Sequence, residues 1–222
     1  HFGSNFSGWR FEGETAKVKS GTHLMDLIRA AVAKGLAGME QIAGIPGSVG
    51  GALRMNAGAF GQEVQNVVNK IYGYRLNGTP VILRRKDISF GYRSAPELED
   101  VIICAGRFQF SREEPKRLLH RVEEILTLRA KKQPLEHPSC GSVFKRPKGY
   151  YAGALIEGAK LKGTRIGDAM VSPKHSGFIV NLGNASAQQI YRLIQHIEKT
   201  VWERFGVRLE REVKLVGSFE EE

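Results

Sequence analysis

The chain has 222 residues, 41% apolar and 25% charged, enough for one large domain or two small ones with a sizeable core. Its two cysteines, Cys104 and Cys140, exclude a disulfide framework and a zinc site built from cysteine pairs, and they make a reducing, cytoplasmic setting the expectation. A formal charge of +10 attracts anions, yet the Lys and Arg residues are spread along the chain without an aromatic-basic stacking motif, so a phosphorylated metabolite is expected rather than nucleic acid. No apolar run is long enough to span a bilayer, and no membrane partner is expected. The opening His1-Phe2-Gly3-Ser4-Asn5 has neither signal nor transit character and no initiating Met, so the chain is expected to begin inside a longer protein.

Residues 9–19 alternate loosely (Trp9, Phe11, Val18) as a strand does. A helix follows: Thr22 is the expected N-cap, Leu24, Leu27, Ile28, Ala31 and Val32 share one face, and Gly35 can end it. Residues 44–61, GIPGSVGGALRMNAGAFG, hold six glycines, which predicts a loop-rich segment where backbone approaches something closely. On the residues alone this is either a structural turn cluster or a cradle for an anion or cofactor. It is not a P-loop, because no Gly-Lys-Ser/Thr follows. Strands are predicted over 66–75 and 79–84, around the turn Leu76-Asn77-Gly78, and over 101–110.

A helix is predicted from Ser111 to Leu128, with Ser111 and Glu114 at capping-box spacing. Pro134 and Pro138 then mark a connector and a domain boundary. A second glycine-bearing loop, Cys140 to Lys145, precedes a short helix over 152–159 and a strand over 178–181. Ser186 and Gln189 form a capping box that opens a long helix with Ile190, Leu193, Ile194, Ile197 and Val201 inward; Gly206 ends it. A final strand over 207–216 and a frayed acidic tail, Glu220–Glu222, complete the chain. Strands and helices mixed in two lobes predict an α+β fold.

Taken singly, the polar candidates have bland readings. Arg93, in Ser89-Phe90-Gly91-Tyr92-Arg93-Ser94, reads as a surface arginine. Ser142 reads as a turn residue, with no G-x-S-x-G frame and no histidine partner to make a hydrolase triad. The six histidines show no metal-ligand spacing, so no metal site is expected. In a strand, Glu210 and Glu212 would share one face, with Arg211 opposite, and such glutamates are usually solvated.

Taken in order, GIPGSVGGALRMNAGAFG, SFGYRSA, QPLEHPSCGSVFKRP, YYAGALIEGAKLKGTRIGDAMVSPKHSGFIVN and LEREVKLVG are similar to the successive signature blocks of the MurB family of UDP-N-acetylenolpyruvoylglucosamine reductases, from about Gly8 to Gly217. The resemblance, to the second and shorter type, implies the second half of a two-lobed flavin-binding domain followed by a smaller α/β substrate-binding domain. The implied boundaries are 1–110 for the second flavin lobe, 111–131 for a connecting helix, 132–217 for the substrate domain with its closing strand, and 218–222 for a tail. With the first lobe lacking, the chain alone is expected to hold FAD weakly or not at all.

The activity implied is NADPH-dependent, FAD-mediated reduction of UDP-N-acetylglucosamine enolpyruvate to UDP-N-acetylmuramate, for peptidoglycan synthesis, by a cytoplasmic monomer. By match to the family's motifs, Arg93 stabilises the developing negative charge, Ser142 delivers the proton, and Glu212 assists as a protonated or hydrogen-bonded carboxyl. Cofactor contacts are expected from Ile45, Gly47, Ser48, Gly51 and Asn56, and diphosphate contacts from Lys132 and Lys145. Arg146 stands where the family often has Asn, and Gly177 departs from its H-A-N-F pattern. The rival readings are a flavin-dependent sugar or lactone oxidase of the same fold and a non-catalytic UDP-sugar-binding relative.

Overall fold

A computed structural model describes residues 3–220; Glu221 and Glu222 of the expected acidic tail lie outside the described residues. The chain divides into two compact units between Leu128 and Arg129.

In the first unit, β1 (Trp9–Glu12) and β2 (Thr15–Lys19) form a hairpin where the sequence predicts strand character. There follow α1 (Leu24–Ala33), β3 (Leu36–Ala37), α2 (Val49–Arg54), β4 (Gly58–Ala59), β5 (Gln62–Glu63), β6 (Val68–Arg75), β7 (Pro80–Arg84), β8 (Val101–Gln109), β9 (Ser111–Arg112) and α3 (Pro115–Lys132), whose last turn belongs to the second unit. A five-stranded antiparallel sheet runs in the order β1-β2-β8-β6-β7. Along β8, Val101, Ile103, Ala105 and Phe108 are buried while Ile102 and Gln109 are exposed, and the buried face packs with Leu27 and Ile28 of α1 and Leu53 of α2. Pairing of β6 with β8 slips at Gly73, where an added Cβ would lie 2.4 Å from the Ile102 carbonyl oxygen. Only glycine lets the two backbones approach this closely.

The second unit contains β10 (Ser139–Ser142), α4 (Ala152–Gly158), β11 (Arg165–Ile166), β12 (Ala169–Val171), β13 (Phe178–Asn181) and α5 (Ala187–Phe205). Its four-stranded sheet, in the order β10-β13-β12-β11, is also antiparallel. Ser186 accepts from the Gln189 N–H and Gln189 accepts from the Ser186 N–H, so the predicted capping box opens α5. Gly206, at φ +65°, closes it in the left-handed conformation that glycine adopts without penalty. Leu193, Ile194, Ile197 and Val201 of α5 pack on Leu155 and Ile156 of α4, each buried side chain stabilising the unit by about 1.5–3 kcal/mol. Helices and strands mix in both units, the predicted α+β class. Cys104 and Cys140 are free. Among the described residues, no helix is long and apolar enough to cross a membrane, and no side-chain cluster could hold a metal.

Four local expectations are corrected. Thr22 is not the cap of α1, because its hydroxyl is held by the N–H and carbonyl of Gly8; His23 occupies the cap position. Ser111 does not open α3 but pairs with Ala37 in a short ladder, and the helix starts at Pro115, whose fixed φ suits a first turn. The glycine segment is not all loop: α2 runs through it because Ser48 caps the Gly51 N–H and because Gly50 lies against Ser20, where a Cβ would come within 2.9 Å of the serine Cβ. The expected closing strand over 207–216 is an irregular segment that bridges at Arg211–Phe144. Gly141, at φ +81°, and Pro147 bracket the stretch available to it, one turning the chain and the other lacking an N–H.

Candidate active site

In the first unit the glycine segment presents bare backbone. Gly44, Gly47 and Gly51 are exposed, and Ile45 and Ser48 are half-buried. Gly47 sits at φ +115° with nothing within 4 Å of a Cβ position, so the main chain there is open to close approach by a ligand. The α2 N–H groups point inward instead: Val49 donates to Thr22 O, Gly50 to Ser20 O and Gly51 to Ser48 Oγ. The backbone left open is therefore the loop before α2 and not the helix end.

Asn56 behaves differently. It follows α2 in the left-handed region at φ +41°, where asparagine is tolerated better than most residues, and it is 0% exposed. Its amide donates to Glu63 Oε2 at 2.8 Å and to Gly91 O at 3.0 Å, while its oxygen accepts from the Gln65 N–H at 3.1 Å. The Asn56 side chain, expected as a cofactor contact, thus makes these hydrogen bonds within the protein, behind the surface.

The Gly91 carbonyl belongs to the turn that carries Arg93. Gly91 and Ser94 exchange backbone hydrogen bonds of 2.9 and 3.2 Å, leaving Tyr92 and Arg93 as the two central residues. Arg93 is half-buried, sits at φ +53°, and its guanidinium lies 5.1 Å from the Tyr92 ring centroid. Left-handed backbone costs a residue with a Cβ on the order of 1–2 kcal/mol, so the surroundings must hold it. They do so at several points. Arg85 donates to Ile88 O and stacks over Phe90; Glu97 accepts from the Ser89 N–H; Arg54 donates to Ala95 O. The Ser89 hydrogen bonds hold the Glu97 carboxyl below its usual range.

In the second unit, Ser142 is the exposed last residue of β10, paired with Phe178 of β13. One residue on, Val143 O accepts the Glu212 N–H at 2.8 Å, and the Lys145 N–H donates to Glu210 O at 2.8 Å, on either side of the Phe144–Arg211 bridge. Two candidates far apart in sequence, Ser142 and half-buried Glu212, are thus carried by neighbouring backbone segments. Arg211 makes a two-pronged bond to Glu198 of α5, 2.6 Å on each arm, and lies 5.2 Å from the Tyr191 ring centroid. Glu198 raises the Arg211 pKa further above its already high value.

Lys145 has its ammonium against Glu210. Both line a cavity of about 430 Å³, together with Arg146, Lys148, Tyr150 and Arg208, a mostly cationic wall suited to an anion. Lys132 is the exposed last residue of α3 and is not among the residues lining that cavity. Burial holds the His175 imidazole below its usual pKa, and its Nδ1 accepts from the Gly177 N–H at 3.1 Å.

Sequence reasoning missed the Arg211–Glu198 pair, the Asn56–Gly91 contact and Arg208 in the cavity wall. Arg211 left a trace, alternating with Glu210 and Glu212; the Asn56–Gly91 contact spans 35 residues and left none.

Comparison with known proteins matches residues 7–78 to the FAD binding domain family and residues 133–216 to the family described as UDP-N-acetylenolpyruvoylglucosamine reductase, C-terminal domain. The UDP-N-acetylenolpyruvoylglucosamine reductase of Oceanobacillus iheyensis is 45% identical over 211 residues, covering 94% of this chain and 68% of the relative. That of Caldanaerobacter subterraneus subsp. tengcongensis is 44% identical, with coverages of 93% and 68%. The crystal structure of UDP-N-acetylenolpyruvylglucosamine reductase (MurB) from Thermus caldophilus superposes with a TM-score of 0.82 at 33% identity, covering 95% of this chain and 75% of that one.

Proposed function

The chain belongs to the UDP-N-acetylenolpyruvoylglucosamine reductase family, and on that premise we propose that it reduces UDP-N-acetylglucosamine enolpyruvate to UDP-N-acetylmuramate with electrons from NADPH. The observation that carries this reading is the bridge between Phe144 and Arg211, which brings the Ser142 and Glu212 segments side by side. When bound, FAD supplies the relay that passes hydride from NADPH to the enolpyruvyl double bond. Exposed glycine backbone at Gly47 and Gly51, with half-buried Ile45 and Ser48 beside it, fits the close approach of such a cofactor.

Arg93 offsets the negative charge that develops beside the substrate carboxylate, a task a pre-positioned cation performs without reorganising. Ser142 donates the proton that quenches it; a hydroxyl suffices because an enolate-like carbon is a strong base. Glu212 shares the charge as a hydrogen-bonded carboxyl. Lys145 and the cationic cavity around it receive the diphosphate, and exposed Lys132, which is outside that cavity wall, is a second contact by the family's motif alone. The reading places a monomeric enzyme in the cytoplasm, supplying precursor for peptidoglycan and hence for cell shape and division.

The test is NADPH consumption by the flavin-loaded full-length protein, with and without UDP-N-acetylglucosamine enolpyruvate. Consumption should require the sugar nucleotide, and Ser142→Ala and Arg93→Ala should each lower it by about 100-fold or more. Consumption that ignores the sugar nucleotide and instead follows oxygen would replace the reductase reading with an oxidase.

A further inference from the structure

We propose that Asn56 is a positioning residue for Arg93, acting through the carbonyl of Gly91. The proposal rests on the reading of Arg93 given above. The Gly91 oxygen receives two hydrogen bonds, one from the Ser94 N–H that closes the turn and one from Asn56 Nδ2. A carbonyl with both lone pairs engaged is fixed in plane and direction. The amide of Asn56 therefore orients the peptide from which the Tyr92–Arg93 turn departs, and with it the direction in which the Arg93 side chain leaves the backbone.

The clamp is itself held rigid. Its second Nδ2 bond goes to Glu63 Oε2, which also accepts from Gln65 Nε2, and the Gln65 side-chain oxygen accepts from Arg85. Arg85 returns to the same stretch by donating to Ile88 O and stacking on Phe90. Asn56 lies 35 residues from Gly91 in sequence and has no exposed surface, so it acts on the reaction through the turn and not by touching substrate. Asparagine suits the position twice: it tolerates φ +41°, and it offers both donors and an acceptor from one side chain.

The test separates the two half-reactions in the flavin-loaded full-length protein. Asn56→Gly keeps the left-handed backbone and deletes the clamp; Asn56→Asp keeps size and the acceptor toward Gln65 but loses the donor pair. Reduction of the flavin by NADPH, followed without oxygen, should be unchanged in both. Reoxidation of the reduced flavin by UDP-N-acetylglucosamine enolpyruvate should slow by about 10- to 100-fold, the scale of a misplaced catalytic group. Adding either change to Arg93→Ala should slow reoxidation no further than Arg93→Ala alone, because the two act as one unit. Reoxidation at the wild-type rate, losses that multiply with Arg93→Ala, or equal loss of both half-reactions in both variants would each overturn the proposal. If Arg93→Ala reoxidises as fast as wild type, the functional reading fails first and takes this inference with it.

Discussion

Arg93 rides on a two-residue turn gripped from behind by a fully buried amide, whereas Glu212 rides on an irregular segment tethered by a partly exposed ion pair and three backbone hydrogen bonds. In the first hold Asn56 has no exposed surface while its partners Glu63, Gln65 and Gly91 are half-buried, so losing one partner leaves a buried donor without an acceptor and the cost falls on the whole network. The second is reached by water and salt: the Arg211 and Glu198 side chains retain 28% and 24% of their exposure. Its strength is graded by conditions rather than lost at a step. The same task, presenting one polar side chain, is met by burial in one unit and by charge at an edge in the other.

The largest expected effect tests the buried side. Glu63→Ala removes the acceptor shared by Asn56 and Gln65 and should destabilise the protein by about 1–3 kcal/mol, with little change on adding 1 M salt as an order-of-magnitude step. Urea unfolding at both salt concentrations measures it. A salt-dependent loss would break the contrast. Next, Arg211→Met cuts the tether to Glu198 and should cost about 1–2 kcal/mol at low salt. The gap to wild type should shrink as salt rises, and a gap that stays constant would show that this pair is as sheltered as the Asn56 network.

The smallest effect sharpens what burial contributes, because it lies in the first unit but at an exposed group. The Ser89 hydrogen bonds depress the Glu97 pKa, so its stabilisation is complete above the unfolded carboxylate pKa and is lost as pH falls through the folded value. Thermal midpoints measured between about pH 5 and pH 3 should fall less steeply in Glu97→Gln than in wild type. Equal slopes would remove Glu97 from the hold on the Ser89–Ser94 stretch.

Much of the fold was legible where a signal and its consequence lie within a few residues. Ser186, Gln189 and Gly206 delimit α5 because a cap acts on the turn beside it. The strand Phe178–Asn181 and the turn through Gly78, at φ +86°, likewise follow from local pattern. The sequence alone also determined the family, since five ordered blocks matched one set of signatures and comparison bears that out.

Tertiary structure decided where polar side chains spend their hydrogen bonds. Thr22 had the type and place of an N-cap but gave its hydroxyl to Gly8, 14 residues away. The glycines of 44–61 read as loop, yet Gly50 serves the contact of α2 with Ser20. Asn56, expected as a cofactor contact, has no exposed surface and gives its amide to Glu63 and to a carbonyl 35 residues on. Glu212 came beside the Ser142 segment through a backbone hydrogen bond to Val143, 69 residues earlier. Periodicity and caps are properties of neighbouring residues, and so they can be read in order along a chain. The partner of a buried donor is whichever acceptor the packed core brings within about 3 Å, and distance along the chain carries no record of that choice.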